Sequence, residues 1–217
     1  GEFVNGHLAE SRITVISGGA VTPHHLNKHI DYTQLPAPAG TADHSLATPV
    51  NMVVTPDGSK LYVSAFGSSK IGVFSTSELE ADSFDPTTES GNYIAVSGGG
   101  PSGIVLDSAR GKLYVATRFD DGISTIDVAG AAESSHLLLN NPEPAAVTMG
   151  RRFLYDATIS SSNGEAACAS CHIFGDKDDI AWDLGKPDSD PTTVPNNITI
   201  RLGVGAPVVH RPAAALR

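Results

Sequence analysis

The feature that most constrains this chain is an internal repeat. Pro49-Val-Asn-Met-Val-Val-Thr-Pro-Asp-Gly-Ser-Lys-Leu-Tyr-Val63 aligns with Pro101-Ser-Gly-Ile-Val-Leu-Asp-Ser-Ala-Arg-Gly-Lys-Leu-Tyr-Val115 at a constant offset of 52 residues. The same offset aligns Lys70-Ile-Gly-Val-Phe74 with Gly122-Ile-Ser-Thr-Ile126. Each copy reads as strand, tight turn, strand, short loop, strand. Pro56-Asp-Gly-Ser59 and Ser108-Ala-Arg-Gly111 supply the turn chemistry. Leu61/Val63 and Leu113/Val115 give the alternation of a strand with one buried face. A fourth strand is expected at Tyr93–Val96 and again at His136–Leu139. Four short strands in roughly 40–50 residues is the spacing of a propeller blade, with an antiparallel sandwich as the alternative. The predicted fold class is therefore mainly β: four-stranded antiparallel blades of an incomplete propeller, followed by a short helical and loop segment.

Composition agrees with many short strands and turns, since the 217 residues include 22 glycines and 14 prolines. A net charge of −10 argues against general electrostatic attraction to nucleic acid or anionic membrane. No apolar run is long enough to span a bilayer.

The repeated segment Pro-Asp-Gly-Ser-Lys-Leu-Tyr-Val, followed by Lys-Ile-Gly-Val-Phe, resembles the bacterial YVTN β-propeller repeat family over about residues 11–149. In that phase Arg12–Ile16 matches a third strand, and Ala145–Thr148 is expected to open another blade. A propeller closes with roughly four to eight blades. With Gly1-Glu-Phe3 unlike a natural start, the sequence predicts a piece cut from a longer protein, with self-association through open blade edges as a consequence. The predicted division is blades over 1–149 and a partial cytochrome c-like module over 150–217.

The two cysteines lie in Cys168-Ala-Ser-Cys171-His172. Cys-x-x-Cys-His is the attachment signature of c-type haem. On a helical turn, residues three apart share a face, which suits two thioether bonds to one porphyrin edge. The adjacent imidazole is then the proximal iron ligand. A thioredoxin-type dithiol lacks its βαβ context here, a structural zinc site lacks a fourth ligand, and an incidental pair of thiols remains open. Ser162–Glu165 reads as a capping box for a helix carrying Cys168, with Gly175 near its end.

The flanks add a second resemblance. Gly150-Arg-Arg-Phe-Leu-Tyr-Asp156, Ile159-Ser160, Asn163-Gly164 and Cys168–His172 are together similar to a segment of bacterial di-haem cytochrome c peroxidases. That resemblance implies Cys168 and Cys171 as thioether anchors and His172 as the iron ligand, and puts Arg151 or Arg152 within reach of a haem propionate. Those peroxidases carry two such motifs and this chain has one, so simple electron transfer to an unidentified redox partner is at least as compatible. Periplasmic or extracellular localisation follows from the haem motif. The alternative is a propeller-type binding or surface scaffold without haem.

Other candidates read as structure. Met52 is expected in the core and Met149 in a strand, so neither is placed as distal ligand. His24, His25 and His29 are expected on a surface loop, Gly98–Gly100 as a blade connection, and Asp176–Asp179 with Asp183 as a solvated acidic loop. Lys186–Asn197 reads as extended loop and His210 as solvated tail.

Overall fold

The computed structural model describes residues 9–34 and 36–172, with the strands at 198–201 and 207–210. Two four-stranded antiparallel sheets dominate it. The first contains β3 (Pro49–Val54), β4 (Lys60–Ala65), β5 (Lys70–Ser75) and β6 (Ile94–Ala95) in consecutive order. The second contains β7 (Pro101–Asp107), β8 (Lys112–Thr117), β9 (Gly122–Asp127) and β10 (Ala132–Leu138), again consecutive. This meander is the blade topology expected from the repeat. Before them, β1 (Arg12–Ser17) and β2 (Ala20–His25) form a hairpin, and β11 (Ile198–Arg201) pairs with β12 (Pro207–His210). The short helices are α1 (Thr76–Glu80), α2 (Pro86–Glu89), α3 (Ala145–Tyr155) and α4 (Ala157–Ser160). Among the described residues no helix is long and apolar enough to cross a membrane.

Strand alternation gives each blade two faces. The blades stack through one core in which Tyr62, Ile71 and Ile94 of the first meet Ile104, Leu113, Val115 and Ile126 of the second. The other face of the first blade buries Leu61, Val63 and Phe74 with Ile13 of β1, Leu26 and Leu46. The β1–β2 hairpin therefore sits where a preceding blade would, consistent with Arg12–Ile16 matching a third strand. Gly98–Gly100 does connect the blades, and Gly99 and Gly100 have positive φ. A Cβ at either would stand 2.6–2.7 Å from the Phe119 ring, so the loop needs glycine there.

Several expectations are corrected. Ala145–Thr148 is not a strand but the start of α3. Pro144 supplies a fixed φ at the helix entry, and its carbonyl accepts from Val147 N–H at 2.9 Å. The alanines that follow favour helix over strand. Met149 is thus an exposed helical residue, and Met52 projects from β3 with its side chain largely in solvent. His24 and His25 belong to β2 rather than to a loop, and His24 is buried against Asp82, Nδ1 to Oδ1 being 3.1 Å. The candidate acidic loop at 176–183, Gly175 and the 186–197 stretch lie outside the described residues. His210 ends β12 rather than lying in an irregular tail.

Candidate functional site

The chain reaches Cys168 through a strap, residues 156–167, laid across the first blade. Asp156 starts it: this buried carboxylate caps α4 by accepting from Thr158 N–H at 3.0 Å and from the Thr158 hydroxyl. Ala157 and Ala167 pack against Ala47. Gly164, at φ +74°, lies so close to the 41–44 turn that a Cβ would be 2.9 Å from Ala42 Cα.

Glu165 fastens the strap. It is buried, and its Oε1 accepts from Ser11 N–H at 3.2 Å and from Asn27 Nδ2 at 3.0 Å, and lies 2.6 Å from His25 Nε2. Tyr32 donates its hydroxyl to Oε2. Asn27 is itself fixed by Leu46, accepting from its N–H at 2.8 Å and donating to its carbonyl at 2.9 Å. Burial pushes the Glu165 carboxyl up, but the hydrogen bonds from His25, Tyr32 and Asn27 outweigh it, and the net shift is downward. Burial and then the bond to Glu165 push the Tyr32 phenol up. Glu165 is therefore not the end of a capping box, as its spacing from Ser162 predicts, but an internal anion joining the strap to the β1–β2 hairpin. Its donors lie more than 130 residues away in sequence; no local pattern announces them.

Beyond the strap, Cys168–Ser170 forms a 3-10 turn. Cys171 N–H and His172 N–H both donate to the Cys168 carbonyl, at 3.2 and 2.9 Å. Ser170 closes the turn entry, its hydroxyl accepting from Ala167 N–H at 3.1 Å and its own N–H donating to Ala167 O at 3.0 Å. Within the described residues this is one turn rather than the longer helix expected. In 3-10 geometry residues three apart eclipse, so Cys168 and Cys171 share a side. They are not joined by a disulfide; Cys168 is exposed, while Cys171 and His172 are half-buried.

A cavity of about 690 Å³ borders this turn. Its walls include Pro49 and Val50 of the first blade, Phe66, Arg118, Tyr155 at the end of α3, and Ala169 and Ser170 from between the cysteines. Phe66 meets Tyr155 edge-on, with ring centroids 5.5 Å apart. Glu10 and Glu165 also line it, so the walls are mostly apolar with one cation and two carboxylates. Neither arginine singled out from sequence is that cation. Arg151 is largely buried and clamps α3 to the second blade, donating to Asp121 Oδ2 at 2.7 Å, to the Arg118 carbonyl at 2.9 Å and to Glu143. Arg152 pairs with Asp156 at 3.2 Å. The cation lining the cavity is Arg118, which sequence reasoning missed because its neighbours there come from stretches far apart in sequence, among them 9–11, 48–50, 66, 155 and 169–170.

Two other constellations do not form sites. Ser124 Oγ lies 2.9 Å from His136 Nδ1, and His136 Nε2 lies 2.7 Å from Asp120 Oδ2. Ser124 is completely buried, so no substrate reaches it, and the chain of bonds braces β9 against β10. The histidines at 24, 25 and 29 are not a metal site either: among the described residues no group of three or more His, Cys, Asp or Glu is placed to hold a metal ion.

No protein-family model and no curated protein matches the chain. Among solved structures it is similar to hydrazine synthase of Kuenenia stuttgartiensis, at 21% identity over 42% of this chain and 23% of that one, TM-score 0.35. It is also similar to the periplasmic gluconolactonase PpgL of Pseudomonas aeruginosa, at 14% identity over 61% and 36%, TM-score 0.42. A third similarity is to AztD of Citrobacter koseri, at 17% identity over 61% and 30%, TM-score 0.36. The chain thus spans well under half the length of each, and none of these likenesses assigns it an activity.

Proposed function

We propose that this chain is a propeller-type scaffold presenting a c-type haem attachment segment, with Cys168 and Cys171 as thioether anchors and His172 as proximal ligand, for electron transfer to a redox partner protein. The observation that carries the reading is the single turn at Cys168–His172, which sets the two thiols on one side with the imidazole directly after them. What supports the reading beside the turn is a cavity walled in part by Phe66, Tyr155 and Val50, with Arg118 as the cation that would face a propionate and Glu10 and Glu165 also in its lining. Haem supplies a one-electron Fe(II)/Fe(III) couple when bound. The protein's part is to hold the turn on the blades through Glu165, to exclude water with the apolar walls, and to balance propionate charge with Arg118. Each thiol adds across one vinyl group, so attachment raises the mass by one intact haem. Attachment of this kind takes place outside the cytoplasm, which puts the protein in the periplasm or outside the cell.

A second reading, a propeller-type binding scaffold without haem, is favoured by one observation: the cavity lining includes neither thiol nor His172. Expression with a cytochrome c maturation system separates the two. A Soret band with the mass of one added haem, lost in Cys168→Ala, supports the first. Colourless protein, indistinguishable from Cys168→Ala, supports the second.

A further inference from the structure

The repeat carries its own control for which surfaces should be covered. In the first blade Val53, Tyr62 and Val73 stand opposite one another across β3, β4 and β5, on the face that meets the second blade. An offset of 52 residues carries them to Val105, Tyr114 and Thr125, which are likewise opposite one another across β7, β8 and β9. Tyr62 is 2% exposed and Tyr114 is 38% exposed. Ile71 and Ile94 are paired and buried in the first blade; the corresponding pair in the second is Ile123 and Leu137, and Leu137 is 64% exposed. Val105 is 63% exposed. The second blade therefore shows solvent the same aliphatic and aromatic face that the first blade buries against a neighbouring sheet.

At the other end of the stack the β1–β2 hairpin has two faces as well. Ile13 points into the core, while Ile16 and Val21, paired across the hairpin, are 74% and 66% exposed. That outward face, which by register also carries Arg12, Thr14 and His25, the last packed against Glu165 and Tyr32, follows the one packed on the first blade in the same alternation.

The geometry points to head-to-tail association of this chain with a second copy, the Val105/Tyr114/Leu137 face of one seated on the Ile16/Val21 face of the other. Such a contact continues the stacking order already present within the chain, hairpin to first blade to second blade. It is a heterologous contact, with different surfaces on the two partners, so it generates open stacks or rings rather than a closed two-fold dimer. The centre of the seam is apolar, with Arg12 and Thr14 beside it on the hairpin and Thr125 and Ser135 on the blade, and each copy carries a net charge of −10, so added salt screens the repulsion and strengthens the association.

Sedimentation velocity over a concentration series, on the full chain, tests this. The unsubstituted protein is expected to gain mass with concentration, more so in higher salt. Val105→Lys and Ile16→Lys, both at exposed positions, each weaken association by at least about tenfold, because a lysine is then buried in an apolar seam. Mixing the two variants restores a one-to-one complex, since each keeps the face the other has lost; recovery of that complex also shows that both variants fold. Three results overturn the proposal: a monomer at every concentration, association weakened by salt, or Val105→Lys disruption without any effect of Ile16→Lys, which marks a face pairing with itself.

Discussion

Removing the Glu165 carboxylate detaches the haem-motif strap before it unfolds the blades. In Glu165→Ala the main-chain N–H of Ser11 and the side chains of His25, Asn27 and Tyr32 all lose their shared acceptor. Deleting one partner from a buried ionic network costs about 3–5 kcal/mol, because the groups left behind remain desolvated. For a chain of this size that corresponds to a fall in Tm of roughly 6–20 °C if the loss reaches the global transition. Glu165→Gln keeps the shape and an oxygen for the donors at Oε1, while its amide must face the Tyr32 hydroxyl, which has to turn and accept. Its cost is set at about 1–2 kcal/mol. The assay pairs chemical denaturation with limited proteolysis, reading cleavage between 156 and 172. Glu165→Ala is expected to fall well below Glu165→Gln in stability and to be cleaved rapidly in the strap while the blade peptides stay protected. A Glu165→Ala cost under about 1 kcal/mol, or strap and blades becoming susceptible together, refutes this. The carboxyl's folded pKa lies below its unfolded value. Its contribution is therefore present above the usual glutamate range near 4.3 and is lost as pH falls through the folded value; Glu165→Gln removes that acid-side dependence.

Other substitutions follow from the same geometry. Tyr62→Ala cuts into the core between the blades and costs about 3–5 kcal/mol, whereas Tyr114→Ala at the matching repeat position costs under about 1 kcal/mol in the monomer; paired urea titrations read the difference. Gly164→Ala places a Cβ 2.9 Å from Ala42 Cα at a positive φ, costing about 1–3 kcal/mol and loosening the strap by hydrogen exchange. In protein matured with the proposed haem, Arg118→Gln is expected to leave the haem content unchanged and to shift the reduction potential, because the cation lining the cavity is gone.

The blades were legible because the repeat states each strand twice: the 52-residue offset aligns turns, alternation and the Leu-Tyr-Val strands, and tertiary packing keeps both copies. The Cys168–His172 motif was legible because it is local, but the longer helix expected to carry it is, among the described residues, a single 3-10 turn. What was not legible depends on distance. Ala145–Thr148 matches the repeat in composition, yet Pro144 and the helix-forming residues after it prevail. His25 looks like a loop residue until Glu165, 140 residues on, supplies its partner, and His24 until Asp82 supplies its own. Met52 alternates into a strand face that the β1–β2 hairpin is too narrow to cover, and so stays in solvent.

The most direct measurement is the mass of the tryptic peptide Phe153–Lys177, which contains both cysteines, from protein matured with haem available. That peptide is expected to carry one haem through two thioether bonds, with the Soret absorbance travelling with it on chromatography. The bare peptide, with both thiols alkylatable and no absorbance, contradicts haem attachment at Cys168 and Cys171.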